Sequence, residues 1–474
     1  MDNELPKKFK LISFYEEEWE TSKKILLQLK KVCISNKISS EEKFEKLSSV
    51  IQIFESVNRF NQFNPEDIIN LHTKKCIGLQ KAIKTYFANN EEIFYTKLLP
   101  FIIEQSILLY DRANNKYKEQ TIPLLISGYD MKEEIPKNLI LSMLCNDFFC
   151  NHKDFVSQLN IKQKKLTHLE EWCNVDWYWL YSFENSVSVQ RLICFLAYFD
   201  FAEKVFGLKN NFYFETNVIV ERITFNRNTI INDISKCENT FNQNDINIHN
   251  KSMENEDNFT QSIIDFANMD FQTGQIIPSA TQEEILFSIR PEMYIAMFIC
   301  QRIYQNEIIV ISNVNRLFDY EGYSSSFKFI KIVDNIDGLN DNVLALDSTM
   351  FDHYLMNNVI QDISKFYTGC NFCKKNYQNP CISTGSWGCG AFGCDRAHKF
   401  LQQILCAKVN NVKLSFSTFG NEVYCNSLKQ LFNSVIKYKP KVSDLWKLII
   451  NFKGNNDEDF HKYLKQELGD EFYM

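Results

Sequence analysis

The chain has 474 residues and 45% hydrophobic residues, enough for two or three domains and a sizeable globular core. Its formal net charge of −7 argues against a general nucleic-acid-binding surface, which would be basic, so direct DNA binding is not expected. The 15 cysteines are scattered and form no compact disulfide framework; no run approaches the ~20 apolar residues that span a bilayer, and Met1 to Lys10 is charged where a secretory signal is apolar.

From the N-terminus, residues 1–165 read as a helical accessory region. Charged and apolar residues recur at helix-like spacing in Glu16 to Lys31 and in Glu41 to Phe60, with a helix start at Ser39 or Ser40. A further helix is expected over Glu91 to Tyr110, kinked or split by Pro100, which lacks an amide donor. Val187 to Glu203 reads as a buried helix and Asn217 to Thr224 as a β-branched strand. Residues 238–258, rich in Asn, Asp and Glu, read as a polar loop or disordered segment.

Beyond that stretch, strands and helices alternate. Strands are expected at Ile263 to Phe266, Glu307 to Ser312, Asn342 to Leu346 and Val412 to Phe419. Helices are expected over Glu283 to Gln305, ending in Asp362 to Thr368, over Ala397 to Ala407, and finally over Ser443 to Phe452. The alternation implies an α/β domain over 166–474.

Two segments carry chemistry on their own terms. The loop Gly385-Ser386-Trp387-Gly388-Cys389-Gly390-Ala391-Phe392-Gly393 leads into a helix, and its glycines permit close backbone approach. Such a loop points amides at a diphosphate, or it is a turn packed around Trp387 and Phe392. It is not a Walker loop, because no Gly-Lys-Ser/Thr follows. Gln282-Glu283-Glu284 opens a helix with adjacent carboxylates about 100° apart around the axis. That geometry suits two different tasks in glycosidic cleavage, which needs an acid and stabilisation of an oxocarbenium-like centre. It also suits a plain helix start favoured by the macrodipole.

Taken in order, these segments resemble the poly(ADP-ribose) glycohydrolase family over roughly residues 165 to 455. The family signature is three glycines, six to eight residues, then Gln-Glu-Glu; here Gln272-Thr273-Gly274 is followed by seven residues and Gln282-Glu283-Glu284. Asp265-Phe266-Ala267-Asn268 matches the family's Asp-Phe-Ala-Asn, Tyr320-Glu321-Gly322-Tyr323 its Tyr-Thr-Gly-Tyr, and Thr418-Phe419-Gly420 its Thr-Phe-Gly. The glycine loop matches with Ser386 in place of Asn, and Ser417 replaces an aromatic residue.

The resemblance implies a macrodomain-like mixed sheet sandwiched by helices, with an N-terminal all-helical extension. It implies hydrolysis of ribose–ribose O-glycosidic bonds in poly(ADP-ribose), with no metal and no cofactor. Partners would be the polymer, ADP-ribose or ADP-ribosylated proteins, met in the nucleus or cytoplasm and not at a membrane. Glu284 would be the acid/base, Glu283 would hold ribose hydroxyls, and Asp265 and Asn268 would orient the carboxylate and the distal ribose. Gly274 and Gln282 belong to the signature. Gly388, Cys389, Gly390, Ala391 and Phe392 would cradle the diphosphate, Tyr323 would cover the ligand, and Phe419 would pack on the adenosine. The replacement of two signature glycines by Gln272 and Thr273 leaves a second reading: an ADP-ribose-binding or scaffold protein with weak or absent turnover.

The remaining signals carry less. Cys370 and Cys373 form a lone CxxC, read as reduced loop cysteines rather than a zinc site. His168 and Glu170 lack the partners of a deaminase zinc site. The adenine contact falls to Glu254 or Glu256, without a choice between them.

Overall fold

The computed structural model describes residues 8–59, 76–88, 90–152, 175, 177–208, 212–255, 260–271, 279–334 and 342–469. Gln272, Thr273, Gly274, Glu256, His168, Glu170 and the expected boundary near 165 lie outside them.

In chain order the strands are β1 (Lys8–Lys10), β2 (Thr121–Pro123), β3 (Met131–Pro136), β4 (Asn217–Thr224), β5 (Ile246–His249), β6 (Ser262–Asp265), β7 (Glu307–Ser312), β8 (Phe318–Glu321), β9 (Lys328–Ile332), β10 (Asn342–Ala345), β11 (Cys381–Thr384) and β12 (Lys413–Ser417). Eight of them form one mixed sheet in the order β3-β4-β7-β10-β6-β11-β12-β5. From β10 to β5 the neighbours are parallel, whereas β3, β4, β7 and β10 pair antiparallel. The parallel run therefore places the ends of β6, β11, β12 and β5 along one edge. The start of β7 and the end of β4 reach the same edge, because Ala345 pairs with Ile309 and Thr224 with Glu307. Ligands of open α/β sheets bind outside such carboxyl ends.

Central strands are apolar on both faces, as a sheet covered on both sides requires. Successive side chains point to opposite faces. Ile263, Ile309, Ile311 and Val343 thus join one buried cluster, and Ile264, Ile308, Val310 and Leu344 the other. Burying each such side chain contributes about 1.5–3 kcal/mol. The first cluster is continuous with the helical region, through residues of Glu16–Cys33, Glu91–Ile107, Lys137–Phe148 and Ser186–Phe206. The second is covered by Arg227–Ser235, Met356–Asn376, Arg396–Asn410, Glu422–Tyr438, Val442–Asn451 and Asp457–Leu468. The macrodomain-like sheet and its helical extension thus share one core.

Several local readings change. The helical region also contributes three short strands, and β3 is an edge of the main sheet. Residues 238–258 are not simply a polar loop. They hold β5, whose Ile246 and Ile248 turn inward while their polar neighbours form the rim. The Glu91 helix does not break at Pro100: a π-turn over Phe94–Leu98 precedes the proline, and the bend falls between Glu91–Ile107 and Leu109–Lys116. The expected run Glu283 to Gln305 is divided into Gln282–Ile289, Pro291–Tyr294 and Ile295–Ile299. Cys370 and Cys373 sit buried in the helix Met356–Asn376, not in a loop, and burial pushes the Cys373 thiol up to about 12. The last helix is Asp457–Leu468 rather than Val442–Asn451. Among the described residues no single helix is long and apolar enough to cross a membrane.

Candidate active site

The site starts from β6. Asp265 ends that strand, wholly buried, and neither of its carboxylate oxygens has a hydrogen-bond partner among the described residues. A charged carboxylate without partners in such a place is strongly disfavoured. Burial, and after it the nearby Glu284, holds the Asp265 carboxyl well above the usual carboxylate range.

The helix Gln282–Ile289 then aims its first turn at the end of β6. Gln282 bonds the strand end with both halves of its amide. Its Nε2 donates to the Ile264 carbonyl at 2.8 Å, and its Oε1 accepts from the Phe266 amide at 2.8 Å. This locks strand and helix in register. Glu283 is buried beside them and its Oε1 accepts from the Asn268 amide at 3.3 Å. Burial, then Asp265 and then Glu284, holds the Glu283 carboxyl well above its usual range, against the opposing pull of the Asn268 amide. Glu284 is half-buried. Its Oε2 accepts from the Thr281 amide at 2.7 Å and also from the Thr281 hydroxyl, while its Oε1 makes no hydrogen bond among the described residues. Among the described residues, then, Thr281 anchors one oxygen only. Three carboxyl groups therefore meet at one strand end, with Asn268 alongside; its Oδ1 accepts from the Asp270 amide at 3.1 Å.

The glycine loop shares a cavity with Thr281 and Gln282, at the start of that helix. Gly388 has φ +75°, and a Cβ there would lie 2.4 Å from Ser348 Oγ, so only glycine fits. The amides of Cys389 and Cys394 bond within the loop, to Ser386 and Gly388, and that of Gly393 bonds to Gly390. The amides of Gly388, Gly390, Ala391 and Phe392 bond to nothing among the described residues. Successive free amides of this kind form an anion-binding concavity. Beneath the loop, Trp387 donates from Nε1 to the Leu346 carbonyl at 2.8 Å. The buried Lys399 lies 4.3 Å from the Trp387 ring centroid, donates to Ser348 Oγ at 2.7 Å and pairs with Asp362.

Two adjoining cavities result. The smaller, about 100 Å³, is lined by Ala267, Thr281, Gln282, Tyr323, Ser348 and the loop residues Gly388, Gly390, Ala391 and Phe392. The larger, about 360 Å³, has Glu254, Phe266, Tyr320, Tyr323, Phe419 and Tyr424 on its walls, with Cys389 and Gly390 at its loop end. Tyr323 and Phe419 meet there edge-to-face with ring centroids 5.4 Å apart. Phe419 is held at φ +48°, its amide donating to Ser417 Oγ at 3.1 Å. Burial first, and Glu284 second, raise the Tyr323 hydroxyl. Burial likewise raises the Cys389 thiol, which disfavours the thiolate.

Asp265, Asn268, Gln282, Glu283 and Glu284 thus gather at the end of β6. Gln282 and Tyr323 line both cavities, Gly388, Ala391 and Phe392 the smaller, Gly390 both, and Cys389 and Phe419 the larger. Asp265, Asn268, Glu283 and Glu284 are not among the residues lining either, and Gly274 lies outside the described residues. Of the two glutamates considered for adenine, Glu254 lines the larger cavity and accepts from the Tyr320 hydroxyl at 2.7 Å. Sequence reasoning passed over Ser348, Arg396, Asn421 and Tyr424. Arg396, 4.9 Å from the Tyr424 ring centroid, was the most findable, since it opens the helix that the glycine loop enters.

Two family models match the chain: "Poly (ADP-ribose) glycohydrolase (PARG), helical domain" over residues 86–227, and "Poly (ADP-ribose) glycohydrolase (PARG), Macro domain fold" over residues 231–426. Poly(ADP-ribose) glycohydrolase 1 of Caenorhabditis elegans is 27% identical over 209 residues, which is 40% of this chain and 27% of that protein. Probable poly(ADP-ribose) glycohydrolase 2 of Arabidopsis thaliana is 28% identical over 236 residues, 40% of this chain and 45% of its own length. Poly(ADP-ribose) glycohydrolase 1 of Arabidopsis thaliana is 24% identical over 265 residues, covering 48% of its length. The matches span less than half the length of these relatives.

Proposed function

The chain belongs to the poly(ADP-ribose) glycohydrolase family, and from that premise we propose that it hydrolyses the ribose–ribose O-glycosidic bond of poly(ADP-ribose) and releases ADP-ribose. The observation that carries this reading is the cluster of Asp265, Glu283 and Glu284 at the end of β6, next to Thr281 and Gln282, which share a cavity with Gly388, Gly390, Ala391 and Phe392 of the glycine loop. An acid at the bond and a cradle for the diphosphate are what the substrate requires.

On this reading the Glu284 carboxyl gives its proton to the bridging oxygen. The bond from that oxygen to the anomeric carbon breaks, and the electron pair leaves with the oxygen. An oxocarbenium-like ribose remains. The Glu284 carboxylate then takes a proton from one water as the water oxygen bonds to that carbon. Glu283 holds ribose hydroxyls, and Asn268 and Asp265 set the distal ribose against Glu284. The adenosine lies between Tyr323, Phe419 and Glu254. ADP-ribosylated proteins would then be substrates through the chains they carry.

Release of ADP-ribose from labelled polymer tests the proposal. No release by the full chain, at concentrations where ADP-ribose itself binds, would select the alternative of a binding module. Gln272 and Thr273, where the signature has glycines, motivate that alternative.

A further inference from the structure

A further cavity is distinct from the two above. It holds about 940 Å³, within the size range of small-molecule sites. It lies on the same edge of the sheet, outside the end of β10, the start of β7 and the end of β4, and is lined there by Asp347, Glu307 and Thr224. Ser348 walls both this cavity and the 100 Å³ one. The loop after β6 runs between them, with Ala267 lining the smaller and Met269 the larger. From β5 towards β4, the order along the edge is therefore the 360 Å³ cavity, the 100 Å³ cavity with the carboxyl cluster, and the 940 Å³ cavity.

This order matters for a polymer. The unit being released fills the first two cavities. The oxygen that leaves carries the next nucleotide, which must exit on the remaining side. The chemistry there suits a nucleotide. Phe351 and Tyr304 line the cavity and are 73% and 42% exposed, so both present aromatic surface there on which a base can stack. Gln361 and Asn306 also line it; their amide oxygens accept from Arg227 at 3.2 and 2.7 Å, which leaves their NH₂ groups as the donors for a base edge. The acidic floor is neutralised internally: Glu307 pairs with Arg222, Asp347 with Lys365, and Asp270 with Arg302, whose Nε and Nη2 reach it at 2.8 and 2.7 Å. Asp352, at the exposed rim of the same cavity, has no ion pair among the described residues, so the neutralised floor, and not that rim, is the side a phosphate can approach.

Resting on the glycohydrolase reading, we propose that this cavity is the leaving-side subsite, which receives the adenosine 5′-phosphate part of the next unit in the chain by stacking on Phe351 and Tyr304.

The test uses the full chain with 5′-AMP as the probe. In calorimetry on protein saturated with ADP-ribose, AMP still binds; Phe351→Ala and Tyr304→Ala abolish that binding but leave ADP-ribose affinity within about twofold. On polymer, each variant lowers kcat/KM by about tenfold, the size of a lost base–aromatic stack. Both side chains are exposed, so thermal melting of the variants stays at the wild-type value. If wild type hydrolyses polymer, yet saturated protein binds no AMP and both variants keep wild-type kcat/KM, the subsite is wrong while the glycohydrolase reading stands. If wild type neither binds ADP-ribose nor releases it from polymer, both readings fall together.

Discussion

Glu284 accepts two hydrogen bonds from one residue, Thr281, through its amide and its hydroxyl, and both land on the same carboxylate oxygen. The residue proposed as the acid/base is thus also the cap that starts its own helix. The two roles are separable. Glu284→Gln keeps an acceptor for the Thr281 amide and removes only the proton. Polymer hydrolysis should fall by about 10²–10⁴-fold, the usual scale of general acid–base catalysis. ADP-ribose affinity should hold, and the melting temperature should shift by less than the ~1 kcal/mol of a typical cap. Full activity in the variant would remove Glu284 from the mechanism.

Asp265 is expected to trade stability for function. Its folded-state pKa is raised, so the native state holds a proton that the unfolded chain has already released. Stability from this group therefore falls as pH rises from the ordinary Asp value near ~3.9 through the raised one. Glu283 acts in the same direction. Asp265→Asn removes the charge at similar shape, and should stabilise the protein at pH 7–8 by about 1–2 kcal/mol, the size of stabilising changes elsewhere. The gain should vanish near pH 4. Hydrolysis should drop at every pH. Chemical denaturation across pH checks this; an Asn variant less stable than wild type at pH 8 would mean that Asp265 has a partner.

Gly388→Ala attacks the cradle. The new Cβ meets Ser348 Oγ and the backbone has positive φ, so the loop must shift. A loss of about 1–3 kcal/mol in stability follows from the strained conformation, with a larger proportional loss in ADP-ribose binding than in adenosine binding. Calorimetry with the two ligands separates diphosphate contacts from the rest. Adding Ser348→Gly should restore part of the affinity by clearing the space.

Phe419 and Tyr323, the proposed adenosine wall, meet edge-to-face. Phe419→Ala removes a ring that is 48% exposed, so folding should be unaffected. ADP-ribose affinity should weaken about five- to tenfold, the worth of an aromatic pair of ~0.5–1.5 kcal/mol, with kcat changed less than KM. Unchanged affinity would place the adenosine elsewhere in the cleft.

The legibility of the chain followed how locally each feature is encoded. β4 and β7 were readable to the residue because Asn217–Thr224 and Glu307–Ser312 are runs of β-branched side chains that need no tertiary context. β5 hid in a polar stretch because only Ile246 and Ile248 alternate there, and an edge strand tolerates polar neighbours. β3 hid for the same reason behind Lys132, Glu133 and Glu134. The carboxyl pair and the glycine loop were visible as contiguous motifs. Ser348 was not, because it reaches the cleft only once the segment after β10 packs against Gly388 of the loop. The same holds for the charge beneath that loop, which no spacing announces.

Lys399 is that charge, and it yields the sharpest test of the loop's support. Its ammonium is 1% exposed, and its partners are Asp362, Ser348 and the face of Trp387. Asp362 in turn accepts from the Thr349 amide at 3.0 Å and the Thr349 hydroxyl at 2.9 Å. Removing only the cation, as in Lys399→Met, strands a buried carboxylate and should cost about 3–5 kcal/mol. Replacing both members, Lys399→Met with Asp362→Asn, keeps an acceptor for Thr349 and removes the stranded charge, so most of that stability should return. ADP-ribose affinity separates two possibilities. If the ammonium only supports the fold, affinity returns with stability in the double variant. If it also adds to the field at the cradle, affinity for ADP-ribose stays low while adenosine binding recovers. The second outcome is expected, because Ser348 carries the hydrogen bond from Lys399 directly to the wall beside Gly388.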